Sequence, residues 1–550
     1  MPVVYGKVMD VVHRRQFPGR IVVEGSRIVS VEADAAGADA PYVLPGFVDA
    51  HVHVESSMLL PAAFARQAVV HGTVASVSDP HEIANVLGLD GVHFMLDDAA
   101  QCPFHFCFGA PSCVPATPFE TAGASLDSTQ VASLLQNPAI GYLSEVMNFP
   151  GVLNGDAEVM SKIAAAVAVD KPVDGHAPGL SGQQAVEYIY AANLLGNRPV
   201  ITTDHECVAY DEALWKLQHG MSIIIREGSA AKNFDALLPL LSHYPQRIMF
   251  CSDDKHPDDL LHGHINQLVA RAVAAGFPLW DVLQAACINP VRHYRLSCGL
   301  LQPGDSADFI LVNNLTDFKP VATFLRGHKV AEAGQPLLPP FNGTAPNRFS
   351  CTPKQPSDFQ VPCQGKRIRV IEVVEGQLIT RSRTTDVLCR EGCAVSDPEK
   401  DVLKLTVVNR YADAPPALAF VSGFGLRQAA LASSVAHDSH NIVAVGTDDD
   451  LLCRAVNAII AQRGGLAAVT PDTQGVLPLP VAGLMTTGTC SEVAAQYETL
   501  NRLASSSGCR LKAPFMTLSF LALLVIPELK LSDRGLFDGR AFTFTGLFLD

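Results

Sequence analysis

Short apolar segments alternate with longer helical segments over the first half of the chain. Each apolar segment ends in polar residues, and several of the intervening segments, such as "DDLLHGHINQLVARAVAAG" at 258–276, repeat their apolar positions with the helical period. This order predicts strand and helix units around a parallel sheet. The eight predicted strands cover 42–50, 73–79, 104–110, 140–146, 172–177, 199–206, 221–227 and 247–254. Eight units of about 31 residues are typical of a (β/α)8 barrel.

The segments on either side of these units have the pattern of antiparallel strands. Residues 20–33, "RIVVEGSRIVSVEA", predict two strands joined by a turn, and residues 299–314, "GLLQPGDSADFILVNN", predict strands that return to pair with them. We therefore predict an α/β fold: a TIM-like (β/α)8 barrel, a small β-sandwich domain formed from both flanks of the barrel, and a C-terminal α+β domain. The predicted boundaries are 1–42 and 299–334 for the sandwich, 43–298 for the barrel, 335–363 for a proline-rich linker and 364–550 for the C-terminal domain.

Composition and charge narrow the range of partners. With 550 residues, of which 48% are hydrophobic and 17% charged, the chain is typical of a globular protein of two or three domains. Its formal charge of −15 argues against a nucleic-acid or membrane partner, because phosphate backbones and acidic lipids repel it. A small neutral or cationic substrate fits this charge better.

Three features predict a cytoplasmic protein. The first residues lack the charged segment followed by an apolar one that marks a secretory signal. The fourteen cysteines contain no C-x-x-C pair, so we expect reduced thiols. The uncharged segment at 513–527 has 15 residues, fewer than the roughly 20 that cross a bilayer, and it predicts a buried helix.

Histidines and carboxylates mark the ends of the predicted strands. In "FVDAHVHVESS" at 47–57, His51 and His53 are two residues apart, so a strand directs both side chains to one face. Catalytic groups of barrels lie at the carboxyl ends of the strands. The strand ends carry His51, His53, Glu145, His176, His205, Asp253 and Asp254.

One such residue alone is more often a loop cap, but the set as a whole indicates a metal centre. Imidazoles and carboxylates suit zinc, manganese or iron. Because six ligands exceed the three that hold one catalytic zinc, they predict two metal ions and hydrolytic attack on an electrophilic carbon.

Longer motifs surround these residues: "DAHVHVESSM", "DPHEIANVLG", "SEVMNFPGV", "VDGHAPGLSG", "TTDHEC", "IREGSAA" and "SDDKHPDDLL". Through them the chain resembles the amidohydrolase superfamily of metal-dependent hydrolases and, within it, the bacterial adenine deaminase family. The resemblance covers most of residues 42–330 and extends to "HDSHNIVAVGTDD" at 437–449 and "PLPVAGLM" at 478–485.

The resemblance implies a binuclear centre with two divalent metal ions per subunit. We expect manganese, with iron or zinc as alternatives. The implied ligands are His51, His53 and Asp253 for one ion, His176 and His205 for the other, and Glu145 as the bridge between them. Many relatives use a carboxylated lysine as the bridge, but Lys162 and Lys171 of this chain do not lie at the end of the fourth strand.

By the same resemblance, the reaction is the hydrolytic deamination of adenine to hypoxanthine and ammonia in purine salvage. A hydroxide that bridges the metal ions would attack C6, while Asp253 takes the proton and passes it to the leaving amine. An acid must also protonate N1 of the ring, and the candidates are Glu82, Glu206 and Asp254. Glu82 has the alternative role of capping the helix "EIANVLG". Purine-nucleoside deaminases of this superfamily have a glutamate where this chain has Gly179.

The motif "IREGS" follows the seventh predicted strand. In the family this motif lies at the seventh strand, so the resemblance implies that Arg226, Glu227 and Ser229 contact the base. An ion pair between Arg226 and Glu227 is not expected, because adjacent residues of a strand face opposite sides.

The motif "HDSHN" near the end of the chain raises a separate question. His437, Asp438 and His440 either reach over the barrel mouth, as a lid or further metal contact, or form a surface turn before the strand "NIVAVGT". The surface turn is the preferred interpretation.

Two other function classes compete with deamination. A cyclic amidohydrolase of the dihydroorotase or hydantoinase kind would use the same metals but needs an arginine for its charged substrate, and the strand ends offer only Arg226. A catalytically inactive metal-binding relative would lack a ligand, and all six positions are filled. We expect a homo-oligomer, a dimer or larger, that binds adenine and neither nucleic acid nor membrane.

Overall fold

A computed structural model describes residues 3–340 and 343–549 of the chain. Its centre is a sheet of eight parallel strands in which each strand pairs with the next one along the chain. The strands are Phe47–Val52, Thr73–Ser78, His105–Ala110, Ile140–Val146, Val173–Gly175, Ile201–Asp204, Ser222–Arg226 and Ile248–Cys251. Each falls within one of the predicted segments or extends it by two residues. The predicted α/β architecture with a parallel sheet is thus confirmed.

The first and last strands of this sheet also contact each other. The backbone N–H of Asp253, two residues after the eighth strand, donates to the carbonyl of His51 near the end of the first strand at 3.0 Å. Side chains from opposite parts of the sheet share one buried cluster, which includes Ala50, Tyr142 and Met249. The carboxyl ends of the strands therefore meet around a common centre.

The predicted strand at 42–50 is in fact two strands. Tyr42–Pro45 pairs antiparallel with Phe309–Val312 in a second sheet, and Phe47–Val52 begins the parallel sheet. Gly46 makes the crossing possible, because a Cβ at this position would lie 2.1 Å from the Val74 side chain.

The second sheet has eight strands and joins both flanks of the parallel sheet, as the returning strands predicted. Its strands are Val3–Asp10, Arg15–Glu24, Arg27–Ala33, Tyr42–Pro45, Phe309–Val312, Pro320–Leu325, His328–Glu332 and Gln335–Pro336.

Helices connect the parallel strands. They are Pro61–Ala68, His81–Leu87, Leu89–Ala99, Ser128–Gln136, Phe149–Leu153, Ala157–Ala168, Gly182–Tyr190, Tyr210–Gln218, Phe234–Leu237, Pro257–His262 and Ile265–Ala274, followed by the continuous segments Leu279–Leu283, Gln284–Ile288 and Asn289–Tyr294.

The helical pattern at 258–276 is interrupted between Pro257–His262 and Ile265–Ala274. His264 turns into the protein there, with Nε2 2.8 Å from Asp49 Oδ2 and Nδ1 2.7 Å from Thr73 Oγ1. These buried contacts replace a helical turn that the periodicity alone predicted.

Within its described residues, the C-terminal part of the chain contains a nine-stranded sheet, two three-stranded sheets and three α-helices. The large sheet consists of Arg367–Val373, Thr380–Asp386, Leu403–Val408, Ala417–Ser422, Ala430–Ser433, Ile442–Gly446, Gly465–Val469, Gln474–Pro478 and Phe548–Leu549. The small sheets consist of Val361–Pro362, Cys389–Arg390 and Cys393–Ala394, and of Leu529–Ser532, Gly535–Asp538 and Thr543–Phe544. The helices are Asp449–Gln462, Cys490–Ser506 and Pro514–Ser519. Before the first of these strands, Cys351 and Phe359 are buried against the helix Asp449–Gln462.

The apolar segment 513–527 is buried but is not one helix. Its helix ends at Ser519 and is followed by the 3-10 turn Phe520–Ala522. The buried ammonium group of Lys530 donates to the carbonyl of Phe520 at 2.9 Å, a group that a continuing helix would have used itself. No helix among the described residues is long and apolar enough to cross a membrane.

One disulfide joins Cys363 to Cys389, and the twelve other cysteines are free. The prediction of reduced thiols is wrong for this pair. Its two cysteines come together because the chain folds back around the small sheet that contains Cys389–Arg390, a contact without a local sequence signal.

Candidate metal centre and active site

Six predicted ligands meet at the carboxyl ends of the parallel strands. All six side chains are buried, with at most 6% of each residue exposed: His51, His53, Glu145, His176, His205 and Asp253. The alternating pair behaves as the strand pattern predicted, since the Nε2 atoms of His51 and His53 lie 3.2 Å apart. The sequence therefore identified the residues that converge at this point.

One group of donor atoms comes from the first and eighth strands. Oδ1 of Asp253 lies 3.6 Å from His51 Nε2 and 3.5 Å from His53 Nε2. All three donor atoms lie within 4.8 Å of one another, a spacing at which one cation can contact all of them. Two imidazole nitrogens and one carboxylate oxygen form a ligand set typical of zinc, manganese and iron.

Glu145 connects this group to a second one. Its Oε1 lies 3.4 Å from His53 Nε2, whereas its Oε2 lies 2.6 Å from His176 Nδ1 and 3.2 Å from His205 Nε2. The rings of His51 and His205 stack with their centroids 4.0 Å apart, which brings the two groups together. One carboxylate thus faces a different histidine set with each oxygen.

Lys162 and Lys171 do not take part in this arrangement. Lys162 Nζ donates to the carbonyls of Ser112 and Leu126, and Lys171 Nζ donates to backbone carbonyls near the end of the helix Ser128–Gln136. Among the described residues, Glu145 is the group at the end of the fourth strand that faces both histidine sets.

Two residues of the centre were missed from the sequence. Asp79 and His81 follow the second strand, and His81 Nδ1 lies 3.1 Å from Asp79 Oδ2 and 3.5 Å from Glu145 Oε1. Together with His53 they form another group of donor atoms within 4.8 Å of one another. The strand-end rule that identified the other residues of this cluster, applied to the segment 73–79, would have found them.

Burial and neighbouring charge set the protonation of the carboxylates. Burial raises the pKa of Glu145, but the charges of His176 and His205 outweigh this effect and hold the pKa well below its ordinary value. Burial also raises the pKa of Asp253, but the charges of Arg226 and the nearby histidines outweigh this effect and hold the pKa below its ordinary value. Both groups are ionised at neutral pH, which is the form that binds a metal.

The pKa values of His51 and His53 shift in opposite directions, and the shift of His53 shows an excess of negative charge. Burial and the charges of its neighbouring histidines hold the pKa of His51 well below its ordinary value, so its ring is neutral. Although burial lowers the pKa of His53, the carboxylates of Asp254, Glu145 and Asp253 raise it to about 10. Surroundings that draw a proton onto a buried imidazole also attract a cation. The residues present therefore fit a site for divalent metal ions.

Arg226 lies beside the centre and binds two carboxylates. Its Nη2 donates to Glu206 Oε2 at 2.9 Å, its Nη1 donates to Asp253 Oδ2 at 2.8 Å, and Nη1 also contacts Glu206 Oε1. Asp254 accepts a hydrogen bond from the Ser56 hydroxyl at 2.5 Å. Glu206 and Asp254 therefore each have a fixed hydrogen-bond partner, and both line the cavity beside the centre.

Glu227 and Ser229 lie away from the cavity. Glu227 accepts from Arg271 at 2.6 Å on the outer side of the strand, and Ser229 donates to Asp259 at 2.5 Å. Glu227 makes its contact with Arg271 rather than with Arg226, in agreement with the opposite directions of adjacent strand residues.

The motif "HDSHN" is buried and reaches the centre from the C-terminal part of the chain. His437 and Asp438 are 3% exposed and His440 is fully buried, so the interpretation as a surface turn is wrong. His437 Nδ1 lies 2.5 Å from Glu82 Oε1, and His440 Nε2 contacts Glu82 Oε2. These residues are more than 350 positions apart from Glu82, and no local pattern signals their contact.

A small cavity lies above the centre. Its floor consists of side chains from the predicted ligand set. Its apolar wall consists of Met147 and of Leu378, Phe520, Leu523 and Ile526 from the C-terminal part of the chain. A polar floor under an apolar wall suits a small, flat heterocycle.

Comparisons with known proteins agree with this geometry. Residues 42–330 match the amidohydrolase family, and residues 377–543 match the adenine deaminase C-terminal domain. The chain is 53% identical over 547 residues to an adenine deaminase of Salinibacter ruber, covering 99% of this chain and 98% of that one. It is 53% identical over 537 residues to an adenine deaminase of a Sulfurovum species, with 98% of each chain covered. It is 47% identical over 558 residues to an adenine deaminase of Methanosarcina mazei, with 99% of each chain covered. The chain belongs to the adenine deaminase family of the amidohydrolases.

Proposed function

We propose that the protein catalyses the hydrolytic deamination of adenine to hypoxanthine and ammonia. The observation that carries this proposal is the position of Glu145, whose two oxygens face different histidine sets at the floor of a small cavity. A chain similar from end to end to adenine deaminases thus has a two-site ligand set beneath a small cavity with an apolar wall.

The proposed cofactors are two divalent metal ions, manganese first, with iron or zinc as alternatives. His51, His53 and Asp253 would hold one ion, His176 and His205 the other, and Glu145 would contact both. When bound, such ions lower the pKa of a coordinated water and supply the nucleophile at neutral pH.

Asp253 is the proposed proton carrier between the nucleophile and the leaving group. Its Oδ1 faces the histidine ligands, and its Oδ2 is held by Arg226 at 2.8 Å. The guanidinium keeps the carboxylate ionised, so it can accept the proton of the attacking water. The same proton then passes to the amine at C6, which leaves as ammonia.

The acid that protonates N1 of the ring has three candidates, and their contacts differ. Both oxygens of Glu206 are held by Arg226, and Oδ1 of Asp254 accepts from Ser56. Glu82 is held by two histidines, His437 and His440, which are themselves potential proton donors. We therefore place the ring acid at Glu82 and its partners.

We also propose that the parallel sheet closes into a barrel. The hydrogen bond between the ends of the first and eighth strands, and the buried cluster that they share, support a closed (β/α)8 barrel. The β-sandwich form of the second sheet, the domain boundaries, the homo-oligomer and the cytoplasmic location stay predictions.

The test measures ammonia release from adenine by purified protein supplied with manganese or zinc. We expect turnover by the parent protein and by Asp413→Asn, a control variant at an exposed carboxylate. A cyclic amidohydrolase would instead need a free arginine, and Arg226 is occupied by two carboxylates. Turnover of a dihydropyrimidine without any ammonia release from adenine would overturn the proposal.

A further inference from the structure

A turn at residues 436–440 brings two histidines of the C-terminal part of the chain to Glu82. The turn is closed by the N–H of His440, which donates to the carbonyl of Ala436 at 2.7 Å. His437 then contacts one oxygen of Glu82, and His440 contacts the other. All three side chains are buried. We call these three residues the Glu82 clamp.

Two histidines and a carboxylate could also hold a metal ion. The hydrogen bonds of His440 decide whether the Glu82 clamp is a metal site or a set of hydrogen bonds to Glu82. The backbone N–H of Ala436 donates to His440 Nδ1 at 3.2 Å. Because a backbone N–H is always a donor, Nδ1 must offer its lone pair, and the proton of the neutral ring lies on Nε2. Nε2 faces Glu82 and has no free lone pair for a metal. His440 therefore acts as a hydrogen-bond donor that fixes the Glu82 carboxylate.

His437 has a different position in the clamp. Its Nδ1 faces Glu82 Oε1 at 2.5 Å, so Nδ1 carries a proton. The ring stacks on Phe520 with centroids 4.4 Å apart and an interplanar angle of 13°, and it lines the cavity above the metal ligands. Among the hydrogen bonds of the described residues, none involves its other nitrogen, Nε2. A ring anchored at Nδ1 can therefore present Nε2 to a bound base.

We infer that His437 is the catalytic acid that protonates the purine ring, and that Glu82 and His440 are positioning residues for it. The inference rests on the proposed deamination and assigns its ring proton to a residue outside the parallel-sheet part of the chain. Carboxylates commonly orient a catalytic imidazole and stabilise its charged form in this way.

The proton balance closes within the site. Nε2–H of the imidazolium gives its proton to N1 as the new C–O bond forms at C6. Asp253 carries the proton of the attacking water to the amine, and the C–N bond breaks with release of ammonia. The hydroxyl at C6 then loses its proton as the carbonyl of hypoxanthine forms, and this proton restores the imidazolium of His437.

Charge around the ring supports this role. Burial lowers the pKa of His437, but the carboxylate of Glu82, with help from Asp254 and Asp438, raises it to about 9. The titratable groups that face the ring are Glu82, Asp254, His256, Asp438 and His440. The imidazolium form is therefore available at neutral pH and is lost above pH 9.

The first experiment uses His437→Asn, which keeps an N–H near the position of Nδ1 and removes Nε2. We expect kcat for adenine to fall by about 10²–10⁴-fold, the usual contribution of a positioned acid, while KM and the metal content change little. We expect kcat of the parent protein to decline at alkaline pH as His437 loses its proton, and we expect this decline to be absent in the variant. A kcat within tenfold of the parent, or an unchanged alkaline decline, would overturn the assignment of His437.

A matched pair of variants tests His440. His440→Gln keeps an N–H near the position of Nε2, and His440→Asn does not. The residue has φ 55°, a left-handed conformation that asparagine adopts readily, so backbone strain does not explain a loss in the asparagine variant. We expect the glutamine variant to retain most of kcat and the asparagine variant to lose much of it, both with the parent's metal content. The reverse order would contradict a positioning role, and loss of a metal equivalent in both variants would show that His440 is a ligand.

Two outcomes separate this inference from the proposed function. A parent protein that does not release ammonia from adenine refutes the deamination itself. Crystal structures of the two His440 variants test the clamp independently of turnover, because Glu82 should keep its orientation in the glutamine variant and change it in the asparagine variant. An identical Glu82 orientation in both would refute the clamp.

Discussion

Arg226 donates a hydrogen bond from Nη1 to Oδ2 of Asp253 at 2.8 Å, while Oδ1 of the same carboxylate faces His51 and His53. The two oxygens therefore have different surroundings, a guanidinium on one side and the metal ligands on the other. The same guanidinium binds Glu206 with both of its terminal nitrogens. A single buried cation thus fixes two buried carboxylates next to the proposed metal centre.

Replacement of Arg226 should damage both stability and activity. Arg226→Gln leaves two buried carboxylates without their cation, and loss of one partner of a buried ion pair typically costs about 3–5 kcal/mol. Arg226→Lys keeps the positive charge but cannot make the bidentate contact with Glu206. We therefore expect it to lose less stability and activity than Arg226→Gln. Denaturant unfolding and kcat/KM for adenine measure these effects. The control is Arg271→Gln, a partly exposed pair with Glu227, which should cost no more than about 1 kcal/mol. Equal stability of the parent and Arg226→Gln would contradict this view.

Asp253→Asn tests the proposed proton carrier. Asparagine keeps the size of the side chain and one oxygen ligand but removes the base, so most of the metal content should survive while turnover collapses by about 10²–10⁴-fold. Metal analysis and ammonia release, with Asp413→Asn as the control, measure the two effects separately. A variant that keeps more than a tenth of the parent rate would show that another group moves the proton.

The apolar wall of the cavity predicts selectivity for the free base over its nucleoside. Phe520, Leu523 and Ile526 are each at most 5% exposed and line the small space above the centre, which leaves little room for a ribose. We expect kcat/KM for adenine to exceed that for adenosine by a large factor. Comparable values for both substrates would refute a site restricted to the base.

Lys530 predicts a pH dependence of stability. Burial lowers the pKa of this lysine to about 7, although its ammonium group donates to the carbonyls of Leu378 and Phe520. In the unfolded chain its pKa is about 10.4, so between about pH 7 and 10 the unfolded state binds more protons than the folded state. Stability should therefore rise with pH in this window, by up to about 1.4 kcal/mol per pH unit from this group.

The measurement is the free energy of unfolding at pH 7.5 and 9.5 for the parent, Lys530→Met and the exposed control Lys329→Met. We expect the rise with pH to be smaller in Lys530→Met than in the other two proteins. The same slope in all three would mean that Lys530 is charged in the folded protein.

The residues of the proposed metal centre could be predicted because their signal is local. His51 and His53 are two apart on a strand, and Glu145, His176 and Asp253 each end a short apolar segment. In a parallel sheet of consecutive strands, the carboxyl ends of all strands lie at the same edge, and the length of the loops between them does not change this. The order of the strands and the pairing of the two flanks could be predicted for the same reason.

Other features depend on contacts between distant parts of the chain. The sequence gives Glu82 the pattern of a helix cap and His437 that of a turn, and only the fold brings them within 2.5 Å. The helical period at 258–276 does not reveal that His264 turns inward to Asp49. The apolar segment 513–527 has the hydropathy of a buried helix, but it ends its helix early and lines the cavity with Phe520.

The central claim is that Glu145 joins two metal sites, and the metal content of Glu145→Gln tests it most directly. Glutamine removes the negative charge that offsets repulsion between two dications. We therefore predict that the variant loses at least one metal equivalent per chain together with its activity, while the exposed control Glu332→Gln keeps the parent's content. A carboxylate that only hydrogen-bonds to a ligand histidine would weaken metal affinity or activity by about 10–100-fold without a change in stoichiometry. Two metal equivalents bound to Glu145→Gln, under the conditions that load the parent with two, would contradict the account.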